Sequence, residues 1–330
     1  MKLGLCLAML AGCALAAALV LYQGAGDVLD ALAVIEWGFA PVFGLHIAQL
    51  LCSSLGWRPL IGRKWQRSLL SLVKIRWIRE GTNTLLPLAH IGGEIIGARL
   101  LSFHGVRGDV AGASVVVDIT AQIITQVLFT IVGVTLLVQA GAQGGHVVDL
   151  VTGIVAALIA VGGFLLAQRF GLFKLVEHML DRLVKKAGWL SLEGIKGLHD
   201  AIQSIHRRPR ALVTSAAWHF LSWSLGAGEV WLLLHFMNAG VGLKEALILE
   251  SLGQAARSAG FAVPGAIGIQ EGGFLLFGTM LGVPPGAALA LSLAKRLREL
   301  ATSVPAVAAW QIAEGRRIFR PRARPNPSRD

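Results

Sequence analysis

The chain has 330 residues, 55% of them hydrophobic and 15% charged, with a mean hydropathy of +0.65. That composition excludes a soluble globular domain, and without an alternating ten-residue pattern it excludes barrel strands, so helices are the expected membrane-crossing elements. The net charge of +11 lies in three blocks, residues 58–67, 168–210 and 316–324; set between apolar spans, these are loops facing anionic lipid and not a nucleic-acid footprint.

Residues 3–22 form the first expected span. Lys2, the apolar run and the small residues 14–18 also fit a cleavable signal peptide, but the length of the run and an interface-like Tyr22 favour a retained anchor. The second span covers about 32–55 and ends at Trp57-Arg58, an aromatic anchor followed by a basic loop. Residues 69–103 and 247–281 are apolar but interrupted centrally by Pro and Gly. Neither half of either segment is long enough to cross about 30 Å of hydrocarbon, and each reads as a re-entrant helical hairpin. Further spans are expected at about 110–138, 148–167, 211–237 and 285–312. In the connector 168–210, Leu172, Leu175, Val176, Met179, Leu183 and Val184 recur at helical spacing opposite charged residues. This predicts an amphipathic helix, either lying on the cytoplasmic leaflet or solvated. The expected fold is an all-α polytopic membrane protein of six full spans and two hairpins, one domain over 1–315, with a disordered basic tail over 316–330. Cys6, Cys13 and Cys52 lie in apolar spans without CxxC spacing, so neither a zinc site nor a disulfide framework is expected.

An internal repeat links the two hairpins. Adding 177 to Pro87 reaches Pro264, and adding it to Glu94 reaches Glu271. The same ungapped offset carries Gly105-Val106 onto Gly282-Val283 and Asp118 onto Lys295. A broken helix with an acid at membrane depth, present twice, is a transporter construction. Placing the three basic blocks in the cytoplasm makes the first hairpin enter from the cytoplasm and the second from outside. The modules, about 32–138 and 211–315, are then expected in inverted orientation.

Ionisable groups at membrane depth cost about 2.5–3.5 kcal/mol unless paired or hydrated, which singles out a short list. The hairpin breaks are Pro87, Gly92 and Gly93 in the first copy and Pro264, Gly265 and Gly268 in the second. Around them stand Arg76, Arg79, Glu80, Asn83, Glu94 and Arg99, and in the second copy Arg257 and Glu271. Asn83, one turn before Pro87, is placed to satisfy carbonyls opened by the break. Arginines beside half-helix N-termini make a cradle for a phosphate or other anionic head group. The alternatives are that Arg76 and Arg79 snorkel to the interface, that Glu94 braces its hairpin through Arg79 or Arg99, and that Glu271 and Arg257 form the equivalent brace. Asp118 is expected to pair with Lys295, or with Arg296 or Arg298, across a pseudo-two-fold axis. Lys295, Arg296, Arg298 and Glu299 must face protein or a cavity. Glu229 and His219 are weaker candidates, the histidine reading first as a packing residue.

Catalytic signatures are sparse. His90 and Glu94 stand at i, i+4, but no HExxH motif or second ligand cluster accompanies them, so no metal or cofactor is expected. Head-group transfer with Glu94 or Glu271 as base is the nearest enzymatic reading.

The pattern Arg79-x3-Asn83-x3-Pro87-x4-Gly92-Gly93-Glu94-x4-Arg99, with Pro264-x3-Gly268-x2-Glu271, resembles the flippase-like transmembrane region of lysylphosphatidylglycerol synthases over about residues 3–315. Within that superfamily the chain looks like the short membrane proteins associated with hopanoid biosynthesis. The resemblance implies a bacterial inner-membrane protein that translocates or handles a lipid, hopanoid or anionic phospholipid, with hopanoid-biosynthesis proteins as possible partners and no nucleic acid. Full synthases carry an aminoacyl-transferase domain after this region; none is found before Asp330, so synthase activity is not expected. The expected function is a lipid flippase working through two inverted hairpins around a polar cavity. The alternatives are a non-catalytic component that delivers hopanoid intermediates and a head-group enzyme.

Overall fold

A computed structural model describes residues 38–85, 92–140, 197–259 and 266–318. The expected spans 3–22 and 148–167, most of the connector, His90, Pro87, Pro264, Gly265 and the tail beyond Ile318 lie outside these residues, while residues 316–318 of the expected tail belong to the last helix. The described elements are all helices, without strands. They form α1 (Phe39–Ile61), α2 (Leu69–Leu85), α3 (Gly92–Phe103), α4 (Gly108–Gln139), α5 (Leu198–His206), α6 (Pro209–Phe236), α7 (Leu243–Ala259), α8 (Ile269–Met280) and α9 (Pro285–Ile318). A short 3₁₀ turn, Arg63–Trp65, follows α1.

Two of these helices, α1 and α4, are long and apolar enough to cross a membrane. With 32 residues α4 is about 48 Å long at 1.5 Å per residue. By contrast α2 and α7 have 17 residues each, and α3 and α8 have 12 each. At about 26 and 18 Å none of the four reaches across about 30 Å. The 177 offset carries the bounds of α3, 92–103, onto those of α8, 269–280, and the first residue of α4 onto the first of α9.

The second expected span is corrected at its end. Helix α1 continues past Trp57 to Ile61, through Pro59, and stops at Gly62, whose φ is +82°. The extension is held by burial of Trp57, Leu60 and Ile61 and by Arg208, which donates to the carbonyls of Pro59 (3.3 Å) and Leu60 (2.9 Å). Those carbonyls are the acceptors a helix end leaves open. Trp57 is not an interface anchor: it is fully buried, with Nε1 donating to Ser114 Oγ at 3.1 Å.

Packing pairs the two sets of helices in an exchanged way. The helices α1 and α6 lie against each other, α2 lies on α9, and α7 lies on α4. Trp77 Nε1 of α2 donates to the Thr302 carbonyl of α9 (2.9 Å), and Gln126 Nε2 of α4 donates to the Gln254 carbonyl of α7 (3.2 Å). Two apolar cores result. One joins the end of α1, the start of α4, α5 and the open end of the first hairpin, with Leu72, Leu100, Leu101 and Val106. The other joins the start of α1, the ends of α4 and α6 and the open end of the second hairpin, with Ala246, Phe277 and Val283. The two hairpins therefore open into different cores, and between the cores α1, α4, α6 and α9 bury the polar residues Ser53, Asp118, His219, Glu229, Lys295 and Arg298.

Candidate functional site

Between the cores lies a cavity of about 240 Å³. Each contributing helix presents a polar stripe at 3–4-residue spacing, which places the residues on one face. From α2 come Arg76, Arg79, Glu80 and Asn83; from α7, Glu250, Gln254 and Arg257; from α9, Lys295, Arg298, Glu299 and Thr302. The other faces of α9 are apolar: Leu297 and Leu300 are 56% and 44% exposed, so the charged run points inward as expected and its leucines point out.

Asp118 on α4 is fully buried and collects four donors. Its Oδ2 accepts from Arg76 Nη1 (2.8 Å), Arg79 Nη2 (3.0 Å) and Gln122 Nε2 (2.9 Å), and its Oδ1 pairs with His219 Nε2 (2.9 Å). A carboxylate only accepts, so His219 Nε2 carries the proton. These contacts overturn the expected pairing of Asp118 with Lys295. Lys295 Nζ donates to Glu250 Oε2 of α7 (2.5 Å), Arg296 to Glu271 Oε1 (3.0 and 2.7 Å), and Arg298 Nε to Glu229 Oε1 (3.0 Å). Asp118 and Lys295 each turn to the first helix of their own hairpin, and the charges there are opposite in sign to their own. Equivalence under the offset did not bring them together because equivalent residues meet only at a symmetry axis. Nor do Arg76 and Arg79 snorkel: both are buried against Asp118.

Arg79 ties together the first hairpin. It donates to Glu94 Oε2 as well as to Asp118, and its guanidinium carbon lies 4.6 Å from the centre of the Trp57 ring. The remaining nitrogens, Nε and Nη1, have no hydrogen-bond partner and rely on that cation–π contact. Asn83 Nδ2 donates to Glu94 Oε1 (3.0 Å) while its Oδ1 accepts the Gly93 N–H (2.8 Å). Asn83 thus serves an amide at the start of α3, and not the carbonyls it was expected to satisfy. Gly93 and Gly97 make the close approach possible: a Cβ on Gly93 would meet the Arg79 carbonyl and Asn83, and one on Gly97 would meet the Arg79 side chain.

The second hairpin is fastened differently. Glu271 is fully buried, accepts the Gly268 N–H (2.6 Å) as the glutamate half of a capping box at the start of α8, and takes Arg296 on its other oxygen. The expected brace between Glu271 and Arg257 is corrected: Arg257 binds Glu299 of α9. Arg99, expected at the cavity, instead bonds Glu314 Oε1 (2.5 Å) and does not line it.

On the α1 side, Gln49 Nε2 donates to Glu229 Oε2 (3.0 Å) and Arg298 Nη1 lies 2.8 Å from His46 Nδ1. Arginine cannot accept, so His46 Nδ1 accepts and Nε2 carries the proton, facing Glu80 Oε1 at 3.8 Å. With a neutral imidazole this contact is not an ion pair, and the Glu80 side chain is 44% exposed. Motif reading omitted Glu250, Gln122 and His46 altogether. The available signal was spacing: Glu250 stands seven residues before Arg257, and Gln122 four after Asp118.

Residues 9–306 match one family profile, described as the lysylphosphatidylglycerol synthase TM region. No curated protein and no solved structure matches the chain.

Proposed function

The chain belongs to the lysylphosphatidylglycerol synthase TM region family, and from that premise we propose that it moves or positions a polar-headed lipid, hopanoid or other, within a bacterial inner membrane. The observation that carries this reading is the polar cavity between two apolar cores, closed by both broken hairpins and reached by both from opposite ends. Irregular backbone and ionised side chains at membrane depth are tolerated where they line such a cavity, and that is where a lipid head group needs shelter from hydrocarbon.

The two sets α1–α4 and α6–α9 are read as inverted-topology repeats. Matching hairpin lengths, matching bounds under the offset and exchanged packing support this, as do hairpins that open into different cores. The end with the first hairpin's opening carries Arg63, Lys64, Arg67, Arg107, Arg207 and Arg210 and is placed in the cytoplasm. Rearrangement of the hairpins then exposes the cavity alternately to the two leaflets.

The test is a purified protein in liposomes with a fluorescent lipid in one leaflet, quenched from outside. Faster exchange than in empty liposomes, lost in Asp118→Asn, supports translocation. Exchange equal to the protein-free rate, for hopanoid and phospholipid probes alike, would rule it out, and chemical conversion of the probe would point to a head-group enzyme instead.

A further inference from the structure

We propose that the cavity takes an uncharged, hydroxyl-rich head group, a sugar or polyol, and rejects one that ends in a phosphate. The proposal rests on the lipid-handling reading for the presence of a lipid, and on the charges of the cavity for its kind.

Five cations line the cavity: Arg76, Arg79, Arg257, Lys295 and Arg298. Each already holds a carboxylate of the protein, namely Asp118, Glu94, Glu299, Glu250 or Glu229. Two of these acids, Asp118 and Glu229, stand behind the lining, which itself holds Glu80, Glu94, Glu250 and Glu299; counted with its backing acids the network has six carboxylates to five cations. The expected phosphate cradle is therefore filled from within. An entering phosphate would compete with these carboxylates for cations they already neutralise, and a carboxylate left unpaired between two apolar cores is strongly unfavourable.

The neutral groups of the lining suit hydroxyls, which can exchange with the bonds these groups now make to one another, to the backbone and to the ion pairs. Nine of the twenty lining residues carry a neutral hydroxyl or amide, and the ion pairs present a donor beside an acceptor. A hydroxyl both donates and accepts, so a diol can bridge such a pair without breaking it. Glu80 adds an acceptor, and Trp223, its N–H held by Thr125 Oγ1 at 3.3 Å, adds an aromatic wall. An ammonium has three donors and no acceptor; Glu80 is the one carboxylate left for it, and nothing in the lining would use the donors facing it.

Three amphiphiles with the same twelve-carbon tail separate the cases: dodecyl maltoside, dodecyl phosphate and dodecylamine. Each is titrated into the full chain held in a polyoxyethylene detergent while the thermal midpoint is followed. The maltoside should raise the midpoint saturably and the other two should not. Glu299→Gln, which releases Arg257, should gain a response to dodecyl phosphate with at least about tenfold tighter binding than the parent; if that variant does not fold, Glu94→Gln provides the same test through Arg79. A larger response of the parent chain to phosphate or amine, equal responses to all three, or no phosphate gain in the folded variant would each overturn the proposal. Lipid exchange in liposomes together with a phosphate preference would sink this inference and leave the transport reading intact; saturable maltoside binding without lipid exchange would do the reverse.

Discussion

Asp118 draws donors from α2, α4 and α6 onto two oxygens, so its charge ties these three helices together. Removing it leaves Arg76 and Arg79 buried and partly unpaired. We expect Asp118→Asn to cost roughly 3–5 kcal/mol in denaturant unfolding, the usual size for breaking a buried pair. In double-mutant cycles Asp118 should couple with Arg79, whereas Asp118 and Lys295, which share no partner, should be additive within about 0.5 kcal/mol. Two glycines give a contrast of sign. At Gly97 an alanine would strike the stem of Arg79, so Gly97→Ala should destabilise by about 1–3 kcal/mol. At Gly44, also helical, nothing lies within 4 Å, so Gly44→Ala should stabilise by roughly 0.5–1 kcal/mol through helix propensity. Thermal midpoints moving in the same direction in both variants would contradict these contacts.

At the scale of elements, the hairpins carry equivalent acids in unequal roles. Glu94 joins the two halves of its own hairpin through Arg79 and Asn83, while Glu271 caps its own helix and reaches α9 through Arg296. Both Glu94→Gln and Glu271→Gln should fold and should slow lipid exchange in liposomes; undiminished exchange in both would remove the acids from the mechanism. Cross-linking across α2 and α3 should report loosening in Glu94→Gln, and across α8 and α9 in Glu271→Gln. Most of the helices were legible because each shows in the local sequence: Pro and Gly mark the breaks, and apolar runs mark α1, α4 and α6. The error at the end of α1 has a tertiary cause, since a run through Arg58 and Pro59 stays helical only because Trp57, Leu60 and Ile61 are buried and Arg208 covers the last carbonyls. Partner choice was the least legible feature. The 177 offset locates equivalent residues, but which charges meet depends on how α2 leans on α9 and α7 on α4, and no spacing in the chain encodes that.

At the scale of the whole molecule, two helix sets surround one cavity, and their hairpins open into different cores. Single cysteines in a variant lacking the three native ones test the orientation: Ser68→Cys and Ser204→Cys should be labelled from the cytoplasm, and Asn238→Cys from the other side. Labelling of all three from one side would contradict the inverted arrangement. If the head group passes through this cavity, plugging the cavity must stop its passage. In the same background, Thr84→Cys places a thiol on the cavity lining, and Ser204→Cys places one on the exposed connector. Lipid exchange is then followed in liposomes before and after treatment with a bulky, reducible thiol reagent. Modification at position 84 should abolish the protein-dependent exchange and a reductant should restore it, while modification at 204 should change nothing. Exchange that continues undiminished with the reagent bound at 84 would contradict passage through the cavity.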